Sequence, residues 1–137
     1  MPAVSSKKIT DFKESDIQPM LATLTDKPFN EPGGIYEIKW DGYRTIAYIN
    51  KEVVQLRSRN NKFFDDKFYP VTKAFSECKM DAEIDEEIVA LNKNGVPDFG
   101  KLQSWRSEAD GQLIFYAFDL LYVNGKSQMN EKLEARR

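Results

Sequence analysis

The sequence predicts an α+β domain: an antiparallel β-sheet core with helices inserted between the strands. Three observations carry that expectation. Short runs rich in β-branched and aromatic residues recur at Ile35–Lys39, Tyr43–Ile49, Val53–Ser58, Ala82–Leu91 and Gln112–Val123, separated by turn-forming residues. Tight turns join the first three runs, which makes them an antiparallel meander. Between the strand-like runs, Phe64, Phe68, Val71, Phe75 and Cys78 recur at helical spacing instead.

The elements follow in order. Residues 1–16 are polar and aperiodic and read as a flexible N-terminal arm. Ile17-Gln18-Pro19-Met20-Leu21-Ala22 is a short apolar patch suited to pack on the main body. Thr25 to Gly34 contains Pro28, Pro32 and Gly33-Gly34 and is loop. Ile35–Lys39 reads as a first strand, followed by a Trp40-Asp41-Gly42 turn and a second strand from Tyr43. A third strand, Val53–Ser58, leaves through the polar loop Ser58-Arg59-Asn60-Asn61-Lys62. A helix is expected from about Asp66 to Glu77, with Pro70 tolerated in its first turn. Ala82–Leu91 returns to strand, and Asn92 to Gly95 turns. Asp98 is placed to cap a short helix over Phe99–Trp105 that buries Phe99 and Leu102. After the charged loop Arg106–Gly111, Gln112–Val123 is the most apolar run and is expected to be a central strand covered on both faces.

Composition narrows the chemistry. The chain has 137 residues, suited to one domain or a large piece of one, and a formal net charge of −2. That balance neither advertises nor excludes nucleic acid. There is no histidine, which removes the commonest general base and zinc ligand. A single cysteine, Cys78, excludes an internal disulfide framework and a multi-cysteine metal site. No apolar run approaches the length of a membrane span, so no membrane partner is expected and a cytoplasmic location is.

Several charged groups stand where strands need a reason for them. Lys39 ends an apolar run just before the Trp40-Asp41-Gly42 turn, with Arg44 close behind. A lysine on a strand end beside another cation suits an amine nucleophile, and a hairpin turn with surface charges suits the stretch equally. Alternation puts Glu83, Asp85 and Glu87 on one strand face, as in a magnesium-assisted site or a solvated sheet face. By the same parity Glu86 lies with Ile84 and Ile88 on the face expected to be buried, where it is costly unless paired or bulged. Asp119 interrupts the most apolar strand and needs a hydrogen-bonding partner. Phe118 and Phe115 suit the core, or stacking on a nucleobase in a polar cleft. Arg57 and Arg59 suit surface positions, or phosphate contact through the planar guanidinium.

Taken together, these residues resemble a known set. Lys39-Trp40-Asp41-Gly42-Tyr43-Arg44 is similar to the Lys-x-Asp-Gly-x-Arg signature of covalent nucleotidyltransferases, the ATP-dependent DNA ligases, RNA ligases and capping enzymes. Ser58-Arg59-Asn60 resembles the next ligase motif, Asp85-Glu86-Glu87-Ile88-Val89 the Asp-Gly-Glu-Ile-Val motif, and Phe115 to Gly125 the aromatic strand that comes after it. The order is that of the family, over Lys39 to Gly125. Pro19-Met20-Leu21-Ala22, Phe99-Gly100-Lys101-Leu102-Gln103 and Glu134-Ala135-Arg136-Arg137 look most like the ligase domain of bacterial ligase D, an end-joining repair ligase.

The resemblance implies an ATP-grasp-like nucleotidyltransferase fold, with residues 17–137 forming part of an adenylation domain. It implies ATP and Mg2+ as cofactors, with AMP carried covalently on Lys39 and then passed to the 5′-phosphate of a DNA nick. Arg44 and Arg59 would contact nucleotide or DNA phosphate. Glu87 would serve ribose or metal with Asp85 beside it, and Phe118 would stack on adenine. Glu37 and Ile38 would meet the adenine edge, Glu37 through its backbone, while Asp41 shapes the turn. The implied partners are nicked or broken double-stranded DNA and a Ku-like end-binding protein, in a bacterial, nucleoid-associated setting, with the chain itself a monomer. An RNA ligase, an mRNA-capping nucleotidyltransferase and a catalytically inactive nucleic-acid-binding fragment are the alternative readings. Two departures stand out. Glu86 occupies the family's glycine position, and the family's later Glu-Gly and paired-lysine motifs and its OB-fold domain are absent. The chain alone is therefore expected to form lysyl–AMP poorly or not at all.

Overall fold

The computed structural model describes residues 17–137, so the arm expected over 1–16 lies outside the described residues. Five strands form one antiparallel sheet: β1 (Tyr43–Asn50), β2 (Val53–Ser58), β3 (Asp81–Ala90), β4 (Leu113–Val123) and β5 (Lys126–Ser127). Their order across the sheet is β2-β1-β3-β4-β5. Helices α1 (Tyr69–Cys78) and α2 (Phe99–Ser104) interrupt the strands, and α3 (Leu133–Arg136) comes after them. The α+β expectation holds.

Local chemistry sets the boundaries. The β1–β2 hairpin turns through Lys51, whose φ of 57° is left-handed, and the Lys51 N–H donates to Met80 O at 2.7 Å. Pro70 sits in the first turn of α1, where its missing N–H costs nothing, and left-handed Lys79 ends the helix. Asp98 caps α2 as expected, accepting from the Lys101 N–H at 3.0 Å.

One face of the sheet carries the main core. Ala47, Ile49, Leu56, Ile88 and Ala90 pack against Phe68, Val71 and Phe75 of the α1 region and against Leu102 and Trp105. The buried Trp105 indole donates to Gly111 O at 2.9 Å. Each large side chain buried here contributes roughly 1.5–3 kcal/mol relative to exposure. The opposite face buries a smaller cluster of Ile46, Tyr48 and Leu121, covered by Ile17. The apolar patch before the loop thus docks through Ile17 and the buried Pro19, while Met20 and Leu21 stay exposed.

Three expectations are corrected. Ile35–Lys39 is not a strand. Its alternation is right, but a strand needs a ladder, and no described residue pairs with it. The hydrogen bonds of Tyr36 are local instead: its hydroxyl donates to Asn30 Oδ1 and accepts from the Glu31 N–H. Second, β4 is not the central strand, and Leu121 is its one buried position. β3 takes the central place, with ladders on both sides, while β5 pairs only with Tyr122 and Val123 of β4. Third, Cys78 fits the helical spacing yet is exposed, because α1 ends there.

Two register shifts interrupt the β3–β4 ladder beside the charged residues of β3. Glu83 pairs with Tyr122 but Ile84 with Leu120, and Asp85 pairs with Asp119 but Glu86 with Ala117. Each shift leaves an extra residue on β4, Leu121 and Phe118. Bulges of this kind re-aim side chains and sharpen local twist.

Candidate active site

The turn before β1 is fixed by a close backbone approach. A Cβ on Gly42 would lie 2.0 Å from Ile88 O, so no larger residue fits. That approach brings the Gly42 N–H to Glu87 Oε1 at 3.1 Å. Two residues earlier, the Trp40 indole lies flat on the Tyr116 ring, with centroids 3.7 Å apart and planes 1° from parallel. Lys39 and Asp41 are exposed on either side of Trp40. Lys39 is near enough for its charge to favour the Glu87 carboxylate.

Ladder register assembles the rest on the same face. Arg44, Glu87 and Tyr116 form one cross-strand row, and Ile46, Asp85 and Asp119 form another. Arg44 grips Asp85 with both prongs of its guanidinium, Nε to Oδ1 at 3.0 Å and Nη2 to Oδ2 at 2.7 Å. Its Nη1 donates to Met20 O at 2.6 Å. The Asp85 hydrogen bonds hold the Arg44 pKa above its ordinary value, against the opposing effect of burial. The Arg44 guanidinium also stands 5.5 Å from the centre of the Phe118 ring. Beyond it, Asp119 lies 3.4 Å from Arg136 Nε.

Burial raises the pKa of Glu87, opposed by the Gly42 N–H and by the charges of Arg44 and Lys39. Burial also raises Asp119, opposed chiefly by Arg136. Glu86 lies on the other face, fully buried, as its parity predicts. It accepts a hydrogen bond from the Thr45 hydroxyl at 2.9 Å, and Oε2 has no partner among the described residues. Burial pushes its pKa up to about 8.

The structure brings Lys39, Arg44, Asp85, Glu87 and Phe118 together at one end and one face of the sheet. Arg59 sits apart, exposed on the turn after β2, and makes no ion pair among the described residues. Glu37 and Ile38 lie on the exposed segment before the turn, and the Glu37 carboxylate pairs with Arg137. Sequence reasoning missed the Trp40–Tyr116 stack, the Met20 carbonyl and Arg136. Asp119 was the available signal for Arg136, since a carboxylate in that strand demanded a partner.

Comparison with known proteins decides what this face belongs to. The family model described as the ATP dependent DNA ligase domain matches residues 19–137. The chain belongs to the ATP-dependent DNA ligase domain family. A relative in Mycobacterium tuberculosis, the multifunctional non-homologous end joining DNA repair protein LigD, is 34% identical over 129 residues. That alignment covers 92% of this chain and 17% of the relative. LigD of Pseudomonas aeruginosa is 36% identical over 125 residues, covering 88% of this chain and 14% of that one. The crystal structure of the M. tuberculosis LigD ligase domain superposes with a TM-score of 0.64 at 34% identity, covering 74% of this chain and 33% of that one. A mycobacterial DNA ligase D complexed with ATP and MES gives the same TM-score at 35% identity, with 74% and 33% coverage. This ligase domain chain thus spans under a fifth of these LigD relatives, and its α+β nucleotidyltransferase fold is that of the LigD ligase domain.

Proposed function

We propose that this chain carries the nucleotide-accepting part of an ATP-dependent DNA ligase acting in strand-break repair, with Lys39 as the catalytic nucleophile. The carrying observation is the Lys39–Gly42 turn, pinned through Gly42 to Glu87 beside the Arg44–Asp85 fork. The neutral Lys39 amine attacks the α-phosphorus of ATP. An N–P bond forms, the bond to the bridging oxygen breaks, pyrophosphate leaves, and the amine proton passes to solvent. The AMP then moves to the 5′-phosphate of nicked or broken DNA, and the 3′-hydroxyl displaces it to seal the strand.

The remaining residues are assigned by what they offer. Phe118, on its bulge, presents a ring face for adenine. The main-chain groups of Glu37 and Ile38 make no hydrogen bond among the described residues and are available to the adenine edge. Arg59 is free to meet a phosphate. Arg44 reaches a phosphate only by sharing its guanidinium with Asp85.

Magnesium has a narrower fit than the acidic strand face suggests. Both Asp85 oxygens face Arg44, and no group of three acids among the described residues is arranged to hold a cation. Glu87 uses only Oε1 on Gly42, so it is the residue that would hold the ion, with water and nucleotide phosphates completing the shell. Bound there, magnesium would screen the triphosphate charge. Asp85 instead orients Arg44.

The test is incubation with α-labelled ATP or GTP and magnesium, then nick sealing on DNA and on RNA. Weak adenylation without guanylation, lost in Lys39→Ala, is expected, since Lys39 projects from an exposed segment. Label that survives Lys39→Ala, or GTP as the better donor, contradicts the proposal. A Ku-like partner is tested by co-purification with the DNA-bound parent protein.

A further inference from the structure

We infer that Trp40 is a positioning residue for the Lys39 amine, and that its stack on Tyr116 is the clamp that holds it. The inference rests on the reading of Lys39 as the nucleophile. The other ring contacts among the described residues are tilted or edge-on, such as Tyr43 on Phe64 at 5.2 Å and 31°, or Phe75 on Phe115 at 4.5 Å and 37°. Those are the arrangements aromatic pairs ordinarily adopt. Trp40 on Tyr116 is flat, at 3.7 Å and 1°, which fixes both the height and the plane of the indole.

The location of the clamp gives it a purpose. Tyr116 is the ladder partner of Glu87, and Glu87 receives the Gly42 N–H. The turn is therefore held at Trp40 and again at Gly42, by two neighbours in one cross-strand row. Upstream there is little to hold it: residues 20–39 are exposed, and none lies in a strand. The Glu37–Arg137 ion pair is the upstream side-chain tie nearest to Lys39, and it is at the surface. Surface ion pairs restrain a chain weakly. Lys39 thus extends from a segment whose first firm anchor is the next residue, Trp40. Reaction at phosphorus needs the amine in line and close, and misplacement by about 1 Å can cost on the order of 100-fold in rate.

As a clamp, Trp40 touches neither the phosphates nor the reacting atoms. Its loss should therefore lower the rate at saturating ATP and leave KM for ATP nearly unchanged. The experiment compares Trp40→Ala, Trp40→Phe, Tyr116→Ala and the double alanine variant by two readouts. One is amide hydrogen exchange at Gly42, measured by NMR without nucleotide. The other is the rate of AMP attachment to Lys39 across ATP concentrations.

The clamp predicts that Trp40→Ala speeds Gly42 exchange about tenfold while Ile88 and Val89 keep their protection. AMP attachment should fall roughly 10- to 100-fold in kcat. Trp40→Phe should restore both, and the double variant should be no worse than either single one, because the two rings act as a unit. Unchanged Gly42 exchange in Trp40→Ala overturns the clamp. So does a loss confined to KM, which would make Trp40 a nucleotide contact. Absence of any AMP on wild-type Lys39 would defeat only the reading that this chain accepts AMP by itself, and Gly42 exchange, which needs no nucleotide, would still decide the clamp.

Discussion

Asp85, Glu86 and Glu87 are consecutive on β3, yet the two faces of the sheet treat their carboxyls in opposite ways. On the open face, Asp85 is gripped by Arg44 and Glu87 receives a backbone N–H, so ionised oxygens find donors. On the helix-packed face, Glu86 is fully buried with one hydroxyl as its partner. There the acid is held by its proton instead. A carboxylate can be buried by pairing or by neutralisation, and this strand uses both within three residues. Only the paired face offers fixed charge to a substrate.

The contrast is broken most strongly by pH. The Glu86 carboxyl ionises near 4.5 in the unfolded chain and near 8 in the fold. The folded state therefore holds an extra proton between those values. Its stabilising effect is complete below about pH 4.5, is lost as pH rises toward 8, and changes no further above that. At about 1.4 kcal/mol per pKa unit, the swing is on the order of 5 kcal/mol. Glu86→Gln should remove that part of the pH dependence and stabilise the protein by a similar amount at pH 9. Urea denaturation from pH 4 to 9 measures both. Glu87 and Asp119 are also raised, so the informative quantity is the difference between wild type and Glu86→Gln.

The same acid-to-amide change one residue earlier should have the opposite sign. Asp85→Asn leaves the partly buried Arg44 without its counter-charge and is expected to cost about 2–3 kcal/mol at pH 7. Equal signs for Asp85→Asn and Glu86→Gln in one urea series would erase the distinction between the faces. The smallest effect concerns how the helix face is assembled. Asp98→Ala removes the α2 cap and should cost about 1 kcal/mol, read as a lowered Tm with the Arg44–Asp85 fork undisturbed.

Much of this arrangement was legible in the sequence. Period-two alternation put Asp85 and Glu87 on one face and Glu86 on the other, and the ladder register agrees. Asp98 as a cap and Pro70 in a first turn derive from local chemistry and appear as expected. Non-local geometry was not legible. Ile35–Lys39 alternates like a strand, but alternation does not say whether a partner exists. The apolar run of β4 suggested a central strand, whereas pairing gives that place to β3. Arg44 read as a phosphate contact because the sequence cannot show that Asp85, 41 residues away, takes both prongs of the guanidinium. Trp40 and Tyr116 carry no pattern that announces their stack.

The claim that the Lys39–Gly42 turn is an adenylation site is tested most directly by peptide mapping. The chain is incubated with ATP and magnesium, digested, and searched by mass spectrometry for an acid-labile AMP adduct. The adduct is expected on Lys39, and none in Lys39→Arg, which keeps the charge and removes the nucleophile. An adduct on any other residue, or a yield unchanged in Lys39→Arg, would contradict that assignment.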